Sequence, residues 1–140
     1  MKASLIASAL VLLLSMSSFS QATKKAIKLV EGSSNTTTIK GNSGGVEYAL
    51  MLEPDDDFFG RAVIKCQANF NNTSGKKVRF TVVIAYFDAQ GSLISSASQG
   101  TDLDPTNDTV MTSLAAPLAD FGAWKKVTSY QLLIFTGDAK

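Results

Sequence analysis

Three carboxylates in succession, Asp55, Asp56 and Asp57, stand between Pro54 and the pair Phe58-Phe59. Calcium selects several carboxylate oxygens held close together, so this run is the candidate metal site. No EF-hand spacing or second acidic run accompanies it, and a solvated loop with an aromatic end cap is the simpler reading of the same residues. The second candidate is aromatic: Trp124 with Phe121, in Ala119-Asp120-Phe121-Gly122-Ala123-Trp124, offers a surface on which a sugar ring could stack. Its plainer alternative is a lone Trp closing one end of a core.

The 140 residues contain no histidine. That removes the usual general base, the Ser-His and Cys-His nucleophile pairs and the commonest metal ligand together. The other carboxylates, Asp102, Asp104 and Asp108, sit in turn-rich stretches where Asp serves its own backbone. No nucleophile and base can be paired, so no catalytic residue and no cofactor is expected and the chain reads as non-catalytic. The single cysteine, Cys66, has no partner for an internal disulfide and falls on the apolar phase of a strand, where a thiol behaves as a small buried hydrophobe.

The elements that must carry these residues begin after a leader. Lys2, an apolar run from Leu5 to Leu14 and the small residues before Ala22 have the order of a secretory signal peptide, and the run is too short to span a bilayer. Cleavage after Ala22 leaves residues 23–140, enough for one domain with a real core. Lys2 departs with the leader, so 12 Lys and Arg remain against 12 Asp and Glu and the formal charge is zero. Nucleic acid and anionic membrane surfaces are met by clustered positive charge, and neither is expected here. A secreted or periplasmic location follows from the leader.

Past the leader no helical period of useful length appears, and short alternating runs recur between turn formers. Val78 to Phe87 is the densest. Val78, Phe80, Val82, Ile84 and Tyr86 form one wholly apolar or aromatic face, as a central strand requires. Ala62 to Phe70 precedes it, with Ala62, Ile64, Cys66, Ala68 and Phe70 inward. The loop Asn71 to Lys77 reads as a hairpin that pairs these two strands antiparallel. Val46 to Leu52 forms an earlier strand that ends at the Glu53 to Gly60 interruption. Residues 23–45 hold two weak strands and are a candidate mobile arm. Downstream come Leu93 to Ser98 after the turn at Asp88 to Gly91, a crossover from Gly100 to Thr109, a strand from Val110, and a closing strand from Lys126 to Phe135 with a fraying tail. This spacing predicts an all-β fold, an antiparallel immunoglobulin-like β-sandwich of about seven or eight strands.

Ile84-Ala85-Tyr86-Phe87-Asp88 followed by Gly91 resembles the motif of the FxLYD domains, small immunoglobulin-like sandwiches of bacterial and archaeal secreted and envelope proteins. The similarity takes in Asn71 to Val78 and Asp102-Leu103-Asp104-Pro105 and covers about residues 62–135. Thr106-Asn107-Asp108 replaces the family's glycine after the proline, and Ile84 replaces its first Phe. The resemblance implies an interaction or structural module and supplies no active-site residues.

A sandwich of this kind has edge strands with unpaired backbone groups, which pair with partner strands or with a second copy. The charge-poor run Ser92 to Ser98 is the expected exposed edge. The leading expectation is a protein partner, or self-association, through a sheet edge or loops; a carbohydrate- or calcium-binding module is the alternative.

Overall fold

The computed structural model describes residues 24–32, 36–56, 59–106 and 109–139. The expected leader 1–22, Asp57, Phe58 and Asn107-Asp108 lie outside them. The described chain forms eight strands: β1 Lys25–Ala26, β2 Thr37–Ser43, β3 Val46–Asp56, β4 Ala62–Asn72, β5 Val78–Phe87, β6 Leu93–Leu103, β7 Val110–Pro117 and β8 Ser129–Asp138, with a 3₁₀ helix at Phe121–Lys126. Two four-stranded antiparallel sheets face one another, with strand orders β1-β8-β5-β6 and β2-β3-β4-β7. This is the expected all-β sandwich.

The β5 alternation sets the core. Val78, Phe80, Val82, Ile84 and Tyr86 are all buried, and β5 lies between β6 and β8. From the opposite sheet, Leu50 and Leu52 of β3 and Ile64, Cys66, Ala68 and Phe70 of β4 complete the same cluster. The Phe70 and Phe80 rings meet at 4.9 Å between centroids, a tilted contact of the favoured kind. With no disulfide among these residues, this apolar interior is the main source of stability, at about 1.5–3 kcal/mol for each large side chain buried. The β2–β3 hairpin closes through Gly44 and Gly45, whose φ values of 58° and 78° are those of a tight primed turn open to glycine.

Four expectations change. The Asn71–Lys77 loop joins strands of different sheets: β4 pairs with β3 and β7, and β5 with β6 and β8. The reason is Asn72, which is buried and turns inward to donate from Nδ2 to the carbonyls of Lys76 and Leu103 at 2.8 and 3.0 Å. Its Oδ1 accepts from the Ser74 amide and hydroxyl, so the loop is organised as a corner between layers. Next, β3 continues through Glu53 and Pro54 to Asp56. Pro54 opposes Ile64 on the β4 side, while β2 stops at the Thr37–Leu52 pair; the proline therefore sits where no second strand asks for its missing N–H. Third, β6 extends through Gly100 to Leu103, held in register against β5 as far as the Val78–Leu103 pair. Finally, β8 does not fray at Thr136, because Asp138 still opposes Val78. Residues 24–32 and 36–45 contribute β1, β2 and the buried Leu29.

Candidate functional site

The acidic run does not converge. Asp55 Oδ2 pairs with Lys65 Nζ at 3.2 Å, and its Oδ1 accepts from the Asp56 amide, so Asp55 is engaged along the β3–β4 ladder. Among the described residues no group of three or more His, Cys, Asp or Glu side chains is placed to hold a metal ion.

Trp124 and Phe121 are separated by the 3₁₀ helix that carries both. Trp124 is half-buried and packs against the core cluster, bordering a cleft of about 460 Å³ with Ile27 to Val30. Its indole Nε1 is buried without a hydrogen-bond partner among the described residues. Phe121 is 39% exposed and borders different clefts. One, of about 390 Å³, contains Asp55 and Asp56; the other, of about 580 Å³, contains Asp56, Arg61 and Asp120. The two sequence candidates thus meet each other in a way their separation in the chain hid: Phe121 shares a cleft with the acidic run, and Trp124 does not.

Cys66, Tyr86, Arg79 and Asp102 are held by the fold itself. Burial pushes the Cys66 thiol up to about 12, well outside the range of a reactive thiolate. The Tyr86 hydroxyl is raised by burial and, to a smaller extent, by Cys66, and it too is buried without a partner among the described residues. Arg79 Nε donates to Asp102 Oδ1 at 2.6 Å across β5 and β6, and that bond holds the Asp102 carboxyl below its ordinary range.

The sheet edges differ sharply in how they are finished. The run Ser92–Ser98 does lie on an edge strand, β6, but the edge is fastened to the other sheet at both ends. Near its start, the buried Ser95 hydroxyl donates to the Pro117 carbonyl of β7; at its end, the Leu103 carbonyl accepts from Asn72 of β4. β7 lies alongside β6. On the opposite side, the side-chain bond shown between the layers runs from the Thr37 hydroxyl of β2 to the Lys28 carbonyl beyond β1. There, among the described residues, β1 pairs with β8 at Tyr130 and Ser129, and the Ile27 amide donates to the Thr128 carbonyl.

Burial along the inward face of β8 records where that cover ends. Tyr130 is buried, Leu132 and Ile134 are half-buried, and Thr136 is exposed, whereas every inward residue of the neighbouring β5 is buried. Below them, Ile39 of β2 and Tyr48 of β3 are also only partly covered. Tyr48 lies across Gly41, where any β-carbon would collide with its hydroxyl. On the outer face Leu133 is half-buried and Phe135 is 52% exposed. The sequence did not single out this edge, although Leu132-Leu133-Ile134-Phe135-Thr136-Gly137, six residues without charge or proline, is the signal that marks it.

Comparisons with family models, with curated proteins and with solved structures find no match to this chain.

Proposed function

We propose that this chain is an exported, non-catalytic module that binds a protein partner through a sheet edge. The observation that carries the reading is the asymmetry of the sandwich: side chains lock β6 to the opposite sheet, while on the other side β1 is two residues long and leaves apolar side chains of β8, β2 and β3 partly open. Natural sheets guard exposed edges with Lys, Pro or bulges, and an edge without these devices is suited to strand pairing. The leader-like N-terminus and the likeness of residues 62–135 to FxLYD domains support an envelope or secreted setting. Absence of histidine from the sequence and the engagement of Asp55 and Cys66 in the fold favour binding over chemistry.

Affinity capture with the tagged protein from native envelope and culture extracts tests this. Recovery of one stoichiometric protein is expected, with loss of it when Phe135→Lys places a charge beside the edge. Recovery of polysaccharide in place of protein would overturn the reading in favour of a carbohydrate module. One observation favours that second reading: Phe121, exposed beside Asp56 and Asp120, joins an aromatic face to carboxylates in an open cleft. Under it, Phe121→Ala abolishes glycan retention without lowering the melting temperature.

A further inference from the structure

We infer that the outer face of the β1-β8-β5-β6 sheet is a self-association surface, on which two copies stack face to face about a two-fold axis parallel to β5. This goes beyond the proposed function, because it uses the broad face of the sheet and not an edge.

The outward positions of β5 are Arg79, Thr81, Val83, Ala85 and Phe87, and only the first is charged. A strand with one face in water ordinarily alternates apolar with polar, and here the outward set is largely apolar as well. Two cross-strand rows form the centre of the face. Phe135 of β8, Thr81 and Gly100 of β6 share one row, and Leu133, Val83 and Ser98 share the next. The rows are uneven in height. On the β8 side stand large apolar side chains, Phe135 at 52% exposure and the half-buried Leu133. On the β6 side Ser98 and Gly100 are exposed and, being small, rise little above the backbone. The face is therefore a ridge along β8 and a trough along β6, with the half-buried Thr81 and Val83 between them. Charged groups bound it at both ends. Arg79 and Asp102 pair at 2.6 Å in the row beyond Thr81, and Lys24 Nζ sits 4.0 Å from the centre of the Phe87 ring at the other end.

A ridge and a trough on opposite sides of one strand fit a second copy of themselves. Rotation by half a turn about an axis parallel to β5, lying between the two faces, exchanges left and right and keeps position along the strand. The second copy's β8 then lies over the first copy's β6, with Phe135 over Gly100, Leu133 over Ser98, and the two Val83 side chains meeting on the axis. Rotation about an axis across the strands would set ridge on ridge. Stacked sheets lie about 10 Å apart and cross at about 30°, so the central row keeps these partners best. Residues 23–140 carry 12 basic and 12 acidic side chains, so net charge does not hold the copies apart. Three strands about 4.8 Å apart and about seven residues long give a face of roughly 330 Å², against the roughly 800 Å² per partner of a stable interface. The dimer is accordingly weak, with a dissociation constant on the order of 100 µM, and forms where the chain is concentrated.

Sedimentation velocity of the purified protein from about 1 µM to about 1 mM tests this. The expected result is a monomer at the low end and a mass approaching twice that value at the high end. Ser98→Lys, which sets an ammonium group in the trough against the second copy's Leu133, should raise the dissociation constant at least about tenfold, and Leu133→Glu should do the same. An equimolar mixture of the two variants should return to within about threefold of the unaltered chain, because one of the two equivalent contacts becomes an ion pair and the other keeps Ser98 against Leu133. Circular dichroism checks that each variant is folded; should Leu133→Glu fold poorly, Phe135→Glu, one row away and half in solvent, takes its place. A strict monomer at 1 mM would overturn the inference. So would a dimer that Ser98→Lys leaves unchanged, or a mixture that associates no better than either variant alone. Ser98 lies on β6, so capture of a partner at the β8 edge is read separately from this dimer.

Discussion

At Asn72 a single amide makes four bonds, giving its two hydrogens to Lys76 and Leu103 and accepting twice from Ser74. Truncation takes the Asn72 partner from the Leu103 carbonyl and from the Ser74 amide, while the Lys76 carbonyl keeps the Ser74 hydroxyl, and each such loss costs about 1–3 kcal/mol. Asn72→Ala should therefore lower unfolding stability by about 3 kcal/mol in urea titrations, and Asn72→Asp, which keeps the acceptor and loses both donors, should fall nearly as far. Tyr86 presents the opposite case. Its hydroxyl is buried without a partner among the described residues, so Tyr86→Phe should leave stability unchanged or raise it by about 1 kcal/mol. Cys66 gives a dependence on pH with a definite sign. Its thiol titrates near 9.0 when unfolded and is pushed up to about 12 by burial; above 9 the unfolded chain loses the proton that the folded chain keeps, and stability falls as pH rises. The slope approaches about 1.4 kcal/mol per pH unit. Around pH 9, where the tyrosines of the unfolded chain have only begun to contribute, Cys66→Ala should flatten the curve measured by denaturant melts.

At the scale of elements, strong alternation was readable and pairing was not. β5 and the inward set of β4 follow directly from residue type, because one buried face imposes a period of two. The β4–β5 loop has the composition of a hairpin, yet joins different sheets; composition sets how tightly a chain turns, and the destination depends on Asn72 finding the Leu103 carbonyl 31 residues away. The Glu53 to Gly60 stretch, with its proline and acidic run, reads as an interruption, and the early end of β2 is what lets β3 continue through Pro54. The aromatic candidates illustrate the same limit. Their residue types were legible, but the 3₁₀ helix sends Trp124 and Phe121 to separate clefts. Trp124→Ala should cost about 2–3 kcal/mol, a fraction of the full penalty for a buried Trp because this one is half-covered. Phe121→Ala should shift the melting temperature little, and differential scanning calorimetry of the two variants separates a packing role from a surface role.

For the whole molecule, the balance of charge matters more than its location. Residues 23–140 carry equal numbers of acidic and basic side chains, so electrostatic repulsion between copies is weak near neutral pH, where an apolar edge is least protected from association. Phe135→Lys adds one charge at a position that is half in solvent; it should raise the solubility limit measured by precipitation at neutral pH while changing folding stability by no more than about 0.5 kcal/mol.

The two fastenings of β6, Ser95 to Pro117 and Leu103 to Asn72, give the sandwich the mechanics of a bound book. The side at β6 and β7 is the spine, and the side where β1 lies over β2 is the fore-edge, joined among the described residues by the Thr37–Lys28 bond. Thermal opening below the threshold of global unfolding should begin at that fore-edge and swing about the spine, briefly baring Ile39 and Ile134 while Ser95 and Leu103 stay closed. A segment that binds there would act as a clasp, and the protein with its partner in place would be stiffer than the protein alone.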